Sequence, residues 1–309
     1  MVLDDDERQE QSLIEQCVLQ NQKHLKELSS WGIGGPCSYF LHVSRPSQLI
    51  AAIRYCRARS IPFLIIGKGS NCLFDDRGFD GLVMLNRLDQ FEAIEPGVYR
   101  VGSGYPFNRL GVRCSVEGFS GLEFAGGIPG TVGGAVFMNA GADGQETGHV
   151  IDSVEMVTMD GEVRVLRRSD LAFGYRRSTF QQMEDLAAIV AVTFRLVPAE
   201  TARERQRALL ERRRKTQPIG ERSAGSVFRN PSGIGVSAGE LIEMAGLKGL
   251  EMGGAKVSKV HANFFINFNG STSTDMLGLM NHVKERVDQM FGLELKEEIR
   301  YIPYRTQTV

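Results

Sequence analysis

The sequence lacks the features that mark several large classes of protein. No apolar run approaches the ~20 residues that a membrane-spanning helix requires, so we expect no membrane association. The formal net charge is −1 at pH 7, which provides no overall attraction for nucleic acid or for a membrane surface. The 5 cysteines are scattered, and no two of them form a CxxC pair. An odd set of this kind indicates a reducing compartment and argues against a disulfide framework or a structural zinc site.

Signals for export and for metal binding are missing as well. The first residues, MVLDDDERQEQ, contain neither a basic start nor an apolar segment, so we expect no signal peptide and a soluble, cytoplasmic protein. No HExxH motif occurs, and no second histidine stands at metal-binding spacing from His261. We interpret His261 as a core histidine of a strand and expect no metal site.

The common nucleotide-binding and hydrolase signatures do not apply either. The Walker A pattern is absent, and no GxGxxG follows a predicted strand. The pentapeptide GVSAG at 235–239 matches the GxSxG pattern of serine hydrolases, which requires a buried strand before it. The preceding residues, RNPSG, cannot form such a strand. Ser237 is therefore predicted to be the N-cap of a helix over 238–245.

What the sequence does contain is a glycine-rich and apolar stretch, GLEFAGGIPGTVGGAVFMNAGADG, at residues 121–144. Low-complexity linkers are polar, whereas this stretch carries large side chains such as Leu122, Phe124 and Val132, so we expect it to be buried. Buried glycine-rich backbone implies positive φ angles or main chain pressed against another group. Free amides in such turns bind anions. The stretch is either a tightly packed structural turn or a loop that wraps a phosphorylated cofactor.

A second glycine-containing loop, GKGSN, follows a short apolar strand over 63–66. The strand–helix–strand order of residues 38–66 predicts an α/β unit, and ligands usually bind at the carboxyl ends of such strands. Its glycines admit close approach and its polar side chains can donate hydrogen bonds to phosphate. An ordinary strand-end turn explains the loop alone more simply. Its residues are Gly67, Lys68, Gly69, Ser70 and Asn71.

Hydrophobic periodicity predicts a mixture of helices and strands along the rest of the chain. Three short strands between 82 and 104 suggest a second sheet, and Asp160-Gly161 predicts a hairpin. Further strands are expected over 187–197, 261–268 and 297–304, with helices over 106–118, 199–217 and 274–291. An amino-terminal helix is expected around Leu13, Ile14, Cys17 and Val18, and the last helix should bury Met276, Met280, Val283, Val287 and Met290.

The helix over 199–217 is rich in arginine, which raises the possibility of nucleic-acid binding. Glutamates interrupt the arginines, and no aromatic residues are interleaved to stack on bases. A solvated helix between domains is the better interpretation, so we expect no nucleic-acid partner and a domain boundary near residue 200.

Six motifs, in order and at the family's spacing, resemble the UDP-N-acetylenolpyruvoylglucosamine reductase family. The resemblance extends from about Leu28 to Tyr304 and departs from the family at three points. Arg177 stands where aspartate is frequent, Glu297 where proline is common, and Pro303 where glycine is common. The motifs are WGIGGP (31–36), GKGSN (67–71), the 121–144 stretch, FGYRRS (173–178), AGSVFRNP (224–231) and LKEEIRYI (295–302).

The resemblance implies an α+β fold. An FAD-binding module of two subdomains, similar to the vanillyl-alcohol-oxidase (PCMH) type, would be joined to a smaller α/β substrate-binding domain. We expect an amino-terminal extension (1–27), the two FAD subdomains (28–87 and 88–200) and the substrate domain (201–309), whose last strand returns to the active site. No tyrosine-bearing insertion follows FGYRRSTF, which is typical of the shorter of the family's two types.

The resemblance also implies cofactor and substrate contacts. FAD would be held by the GKGSN loop, by residues of the 121–144 stretch and by the strand over 187–197. The UDP-sugar would contact Tyr175, Arg229 and Asn230. From the glycine stretch and the strand, the expected FAD contacts are Gly127, Ile128, Pro129, Gly130, Thr131, Gly133, Gly134, Asn139 and Ile189.

The implied reaction is a hydride relay from NADPH to N5 of FAD and then to the vinyl carbon of UDP-N-acetylglucosamine enolpyruvate, giving UDP-N-acetylmuramate for peptidoglycan. Arg176 would hold the substrate carboxylate, Glu298 would act beside it, and Ser226 would protonate the adjacent carbon. Glu297 competes with Glu298 for its role; we choose Glu298 because it directly precedes Ile299-Arg300, as in the family. The enzyme is expected to be a monomer.

Two other functions remain open at this point. A flavin oxidase of the same fold would usually carry a histidine or cysteine for covalent flavin attachment, and neither residue stands in the 121–144 stretch. A non-catalytic nucleotide-binding protein would keep both glycine loops but would not need Arg176, Ser226 and Glu298 together.

Overall fold

The structure of the protein, a computed structural model, describes residues 23–304 and the single residue Ser12. The expected amino-terminal helix around Leu13 and Val18 lies outside these residues. In the described residues, helices α1–α6 are Pro46–Ala58, Phe107–Val116, Val132–Phe137, Ala202–Thr216, Ala238–Met244 and Ser273–Phe291. Strands β1–β19 are Cys37–Val43, Phe63–Ile66, Cys72–Phe74, Phe79–Asn86, Phe91–Glu95, Val98–Gly102, Phe119–Ser120, Gly141–Ala142, Gln145–Glu146, Ile151–Thr158, Val163–Arg167, Phe173–Gly174, Arg177–Ser178, Leu186–Arg195, Val197–Pro198, Glu251–Met252, Ala255–Val257, Phe265–Asn267 and Arg300–Ile302.

The chain divides into two compact units. Among the described residues, unit 1 comprises Ser38–Gly67 and Gly81–Arg212, and unit 2 comprises Lys23–Cys37, Lys68–Asp80 and the chain from Arg213 onward. Two short segments near the start of the chain therefore belong to the same unit as its carboxyl-terminal third. The finer division at residues 28, 88 and 201 stays a prediction.

Unit 1 is built on a five-stranded antiparallel sheet with the order β11-β10-β14-β6-β5. The predicted hairpin at Asp160-Gly161 is confirmed, because it joins β10 to β11 with Gly161 at φ +80°. A register shift in β14, where Glu155 pairs with Ala191 and Met156 with Ile189, leaves Val190 as an extra residue and interrupts the regular alternation of side chains. Ala188 and Val190 pack in the core that contains α1, whereas Ile189 and Val192 pack in the core that contains α2 and α3.

A smaller three-stranded sheet, β1-β4-β2, completes the main framework of unit 1. Strand β4 pairs in parallel with β2, so that Ile66 lies opposite Leu85. The prediction that all three strands between 82 and 104 form one second sheet is therefore wrong for the first of them. Residues 82–86 are a buried parallel strand of the first sheet, and only β5 and β6 join the five-stranded one.

The core of unit 2 packs against one face of the long helix α6. Thr272 caps its first turn with a reciprocal Asp275 contact, and Gly292 ends it in the left-handed conformation. Met276, Met280, Val283 and Val287 are buried as predicted, but Met290 is 48% exposed. The helix ends one residue later, and the adjacent Phe291 packs on the core instead.

The strand predicted over 261–268 is much shorter in the structure, where only Phe265–Asn267 are extended and paired with β17. A turn occupies the preceding residues, because the amide of Phe264 donates to the carbonyl oxygen of His261 at 2.9 Å. His261 is half-buried in this turn rather than in a strand. The final strand β19 is also short and pairs in parallel with β3.

Candidate active site

The glycine-rich stretch of unit 1 is anchored at both ends and open in the middle. Leu122, Phe124 and Val132 are buried, as expected for a core segment. Residues 127–130 are half-buried, apart from Pro129, which is exposed. The prediction of burial therefore holds for the flanks, and the loop between them presents its main chain at the surface of the unit.

Hydrogen bonds join this loop to the segment 103–107. The carbonyl oxygen of Gly130, a residue with φ +127°, accepts from the amide of Phe107 at 3.1 Å. The amide of Gly133 donates to the carbonyl oxygen of Ser103 at 2.8 Å. A Cβ on Gly133 would lie 2.9 Å from the Ser103 Cβ, so close packing requires glycine here. Because its amide is already bonded, Gly133 supports the loop and is not a donor to an anion.

Two segments predicted to bind the cofactor meet within unit 1. Gly67 follows β2, and a Cβ on it would stand 2.4 Å from Oγ1 of Thr131. A Cβ on the exposed Gly134 would lie 3.7 Å from the same oxygen, an ordinary contact. The buried Thr131 side chain thus lies between Gly67 and Gly134 and leaves no room for a side chain at 67.

Asn139 has a different role from the one its position suggested. Its side chain is fully buried, and Nδ2 donates to Glu146 Oε2 at 2.7 Å and to the carbonyl oxygen of Gly174 at 2.8 Å. Its Oδ1 accepts from the amide of Gly148 at 2.8 Å. Both amide hydrogens are engaged inside the protein, which supports a structural role in place of a cofactor contact.

Arg176 occupies the tip of a tight hairpin in unit 1. Strands β12 and β13 pair Gly174 with Arg177, so Tyr175 and Arg176 form a two-residue turn. Arg176 has φ +56°, a conformation that non-glycine residues rarely adopt. Its carbonyl oxygen accepts from Nε2 of Gln181 at 3.1 Å, and its guanidinium lies 5.1 Å from the Tyr175 ring centre. The turn presents Tyr175 outward, with 46% of its surface exposed.

A buried carboxylate that the sequence analysis did not identify lies beside the glycine loop. Glu123 is 1% exposed and accepts from Ser120 Oγ and the amide of Gly121, each at 2.7 Å. Arg205 of α4 lies 3.5 Å away. Burial alone would raise the pKa of Glu123, but these hydrogen bonds lower it overall, so the carboxylate stays charged. Only the rarity of a charge within an apolar stretch indicated this residue.

In unit 2, the remainder of the GKGSN loop is joined to the carboxyl-terminal segment. Gly69 has φ +56°, and a Cβ there would stand 2.0 Å from the carbonyl oxygen of Leu28. Asn71 donates from Nδ2 to the carbonyl oxygen of Glu298 at 3.2 Å, and its own carbonyl oxygen accepts from the amide of Arg300 at 2.9 Å. Lys68 is exposed, and Ser70 is half-buried.

Ser226 and Glu298 are brought together within unit 2. The amide of Glu298 donates to the carbonyl oxygen of Val227, the residue next to Ser226, at 2.7 Å. An antiparallel bridge pairs Phe228 with Glu297 on the same two segments. Both Ser226 and Glu298 are half-buried, so their side chains are accessible in part. The third predicted catalytic residue, Arg176, belongs to unit 1.

The neighbouring Glu297 forms an ion pair with a lysine of α6. Glu297 accepts a hydrogen bond from Nζ of Lys284 at 2.7 Å. Burial raises the pKa of Glu297, but Lys284 and the charge of Arg229 more than offset this effect and lower it overall. Glu297 is thus held as an ion-paired carboxylate.

The expected substrate residues Arg229 and Asn230 follow Ser226 directly. Nε of Arg229 is buried and has no hydrogen-bond partner among the described residues, a state that usually requires a ligand, water or ion. Asn230 is exposed, and its Oδ1 accepts from the amide of Ala238 at 3.1 Å. Asn230 therefore also supports the start of α5, beside the Ser237 cap that the sequence predicted.

Within the described residues, neither a metal-binding cluster nor a membrane-spanning helix is present. No three histidine, cysteine, aspartate or glutamate side chains between residues 23 and 304 are grouped so that they could hold a metal ion. Among the helices of the same part of the chain, none combines the length and apolar character needed to cross a bilayer.

Comparisons with known proteins match nearly the whole chain. The model of the UDP-N-acetylenolpyruvoylglucosamine reductase C-terminal domain matches residues 217–302, and an FAD binding domain model matches residues 37–167. The UDP-N-acetylenolpyruvoylglucosamine reductase of Protochlamydia amoebophila is 50% identical over 91% of this chain and 92% of its own length. That of Chlamydia trachomatis serovar D is 44% identical over 93% of this chain and 97% of its own.

A solved structure agrees with these relatives. The crystal structure of UDP-N-acetylenolpyruvylglucosamine reductase (MurB) from Thermus caldophilus superposes with a TM-score of 0.77 at 33% identity, covering 92% of this chain and 98% of that one. The expected α+β fold class with an FAD-binding module is confirmed. The chain belongs to the UDP-N-acetylenolpyruvoylglucosamine reductase family.

Proposed function

We propose that the protein is an FAD-containing oxidoreductase that uses NADPH to reduce UDP-N-acetylglucosamine enolpyruvate to UDP-N-acetylmuramate in peptidoglycan synthesis. The names of its relatives and the FAD binding domain match support the flavin and the reductase activity. The observation that carries the proposal is the hydrogen bond from the amide of Glu298 to the carbonyl oxygen of Val227. It joins the segment that carries the Glu298 carboxyl group to the segment that carries the Ser226 hydroxyl.

The residues of unit 1 fit a flavin. Residues 126–134 carry no charged side chain, and the loop presents main chain between two buried flanks. A loop of this kind suits a flat, neutral ring system more than an isolated anion. Gly127, Ile128, Pro129, Gly130 and Thr131 would line the ring, with the buried Ile189 behind them.

Bound FAD would supply the redox chemistry, accepting a hydride from NADPH and passing it to the methylene carbon of the vinyl ether. The chain's own residues would bind and orient the substrate and manage the proton. Arg176 would hold the substrate carboxylate with its planar guanidinium and stabilise the negative charge that develops there. Its fixed left-handed backbone limits the directions in which that side chain can leave the turn.

Ser226 would give its hydroxyl proton to the carbon next to the carboxylate, and solvent would return a proton to the serine oxygen. A positioned proton donor contributes roughly 10²–10⁴-fold in rate. Glu298 would form a hydrogen bond in the same site. Tyr175, Arg229 and Asn230 would contact the UDP-sugar, and the unpaired Nε of Arg229 would gain an acceptor there.

Anaerobic spectroscopy of the purified protein tests this proposal. NADPH should bleach the visible flavin band, and the enolpyruvyl substrate should restore it. The variant Ser226→Ala should keep the bleaching and lose most of the return. A flavin that NADPH does not bleach would favour an oxidase of the same fold, and a protein that binds no flavin after reconstitution would contradict the proposal at its base. The expected cytoplasmic monomer is tested by fractionation and by sedimentation.

A further inference from the structure

Asn263 forms three hydrogen bonds with the segment that carries Ser226. Its carbonyl oxygen accepts from the amide of Val227 at 2.8 Å. Its side chain bonds both main-chain groups of Phe228, since Oδ1 accepts from the amide at 2.9 Å and Nδ2 donates to the carbonyl oxygen at 2.8 Å. Phe264 pairs with Ser226 through an antiparallel bridge. The side-chain amide thus replaces a residue of a neighbouring strand.

Ser226 lies in an irregular segment that is held by contacts with other parts of unit 2. It lies in neither a helix nor a continuous strand. The preceding Gly225 has φ +78°, and a Cβ there would meet nothing within 4 Å. A left-handed glycine in open space is a flexible connection. The bonds from Asn263 hold the main chain next to Ser226, together with the Phe264 bridge and the bond from the Glu298 amide to Val227.

Asn263 is itself held firmly. Its side chain is buried, with 3% exposure, and its amide donates to Nδ1 of His261 at 3.2 Å. Burial, with a smaller contribution from the charge of Lys248, lowers the pKa of His261. The imidazole is neutral at physiological pH and its Nδ1 can accept this bond. The amides of Val260 and His261 donate in turn to Ser258 Oγ.

We propose that Asn263 is a positioning residue that aims the Ser226 hydroxyl at the substrate carbon. The inference rests on the proposed function, since it assumes that Ser226 is the proton donor. Asn263 does not touch the reacting atoms; it acts through the main chain of Val227 and Phe228. Its loss should slow the protonation step and leave the reaction between NADPH and the flavin unchanged.

Asn267, four residues after Asn263, provides a matched control. Asn267 is likewise buried, with 6% exposure, and bonds the main chain on both sides. Its Nδ2 donates to the carbonyl oxygen of Trp31 and its Oδ1 accepts from the amide of Ser271, each at 2.8 Å. Neither partner belongs to the Ser226 segment. Asn263→Leu and Asn267→Leu remove comparable bonds, so they should lower the melting temperature by similar amounts.

The experiment measures both half-reactions by stopped flow for the wild type and these two variants. A misplacement of about 1 Å costs on the order of 10²-fold in rate, so Asn263→Leu should reoxidise the flavin roughly 10²-fold more slowly with the enolpyruvyl substrate. Bleaching by NADPH should be unchanged, and Asn267→Leu should retain wild-type rates in both steps. Equal slowing in both variants, or no slowing in Asn263→Leu, would overturn the inference.

A double variant separates positioning from general damage. If Asn263 acts through Ser226, then adding Asn263→Leu to Ser226→Ala should slow reoxidation no further. Additive losses would contradict the inference. If Asn263→Leu does not fold, Asn263→Asp keeps the acceptor for the Phe228 amide and loses the donor, so it should show a smaller slowing of the same step. A wild type that does not cycle its flavin would refute the proposed function itself.

Discussion

Tyr301 donates its phenolic hydrogen to Oδ2 of Asp75 at 2.6 Å, which joins the carboxyl-terminal strand β19 to the end of β3. The same carboxylate accepts two hydrogen bonds from the Arg77 guanidinium, at 2.9 and 2.8 Å. The amide of Asp75 donates to the carbonyl oxygen of Ile302 at 3.1 Å. These bonds fix the register of β19, which begins two residues after Glu298, the proposed catalytic carboxylate.

This cluster predicts a specific loss of stability in acid. The Arg77 guanidinium and the Tyr301 hydroxyl hold the pKa of Asp75 well below its usual range. A carboxyl group whose pKa is lower in the folded state stabilises the protein fully at pH values above its unfolded pKa of about 3.9. This stabilisation is lost as the pH falls from there towards the pKa of the folded state. Asp75→Asn should therefore lower the melting temperature at pH 7 and show a flatter pH dependence below about pH 4. Melting curves from pH 7 to pH 2.5 check this, with the exposed Asp160→Asn as control.

Gly67→Ala should destabilise unit 1 through a single contact. The new methyl group would stand 2.4 Å from Oγ1 of Thr131, and overpacking of this kind costs about 1–3 kcal/mol. Thr131→Ala in the same chain removes the clashing atoms, so the double variant should be more stable than the sum of the single effects predicts. Urea unfolding of the flavin-free protein measures the coupling. Simple additivity would show that the two positions do not meet.

Asn139→Ala should loosen the hairpin that carries Arg176. The change leaves the half-buried Glu146 carboxylate, the half-buried Gly174 carbonyl oxygen and the buried Gly148 amide without their partner, and an unsatisfied buried group costs roughly 1–3 kcal/mol. The free energy of unfolding should fall, and substrate affinity should fall with it because the turn is no longer held. Normal flavin affinity in the folded variant would support the structural role; a selective loss of flavin would restore the cofactor contact.

Substitution of Glu297 and substitution of Glu298 should have different effects on catalysis. Glu297→Gln removes an ion pair with Lys284, and partly exposed pairs contribute about 0–1 kcal/mol, so catalysis should continue with a small loss of stability. Glu298→Gln should slow flavin reoxidation by about 10²-fold or more, as expected for a lost proton-handling group. Rates for both variants should be compared at equal saturation with substrate. The reverse order of effects would move the catalytic role to Glu297.

The sequence predicted those turns, caps and helices that depend on residues close together in the chain. The hairpin at Asp160-Gly161, the Ser237 cap and the long helix α6 were all readable, because turn residues, caps and periodicity act over a few positions. The family motifs indicated Ser226 and Glu298 as a pair. The hydrogen bonding that joins their segments became visible only in the structure.

Long-range pairing and the assignment of buried polar groups could not be predicted in this way. The strand at 82–86 pairs in parallel with β2 and not with β5. Tertiary packing decides between such partners, and the strand's own residues do not. Asn139 and Asn263 are both buried, and the side chain of each bonds the main chain of another segment. A sequence does not state which amides are buried, so these two roles required coordinates.

Unit 2 is assembled from segments synthesised far apart in time. Lys68–Asp80 emerges early during translation, yet β3 obtains its parallel partner only from residues 300–302. Parallel pairing across such a separation is slow, because the loop must close before the contact stabilises it. Unit 1, in contrast, is fully synthesised once Arg212 has emerged. All of unit 1 is therefore present in the nascent chain before residues 300–302 are available to pair with β3, and the bond between the Glu298 amide and Val227 needs both distant segments.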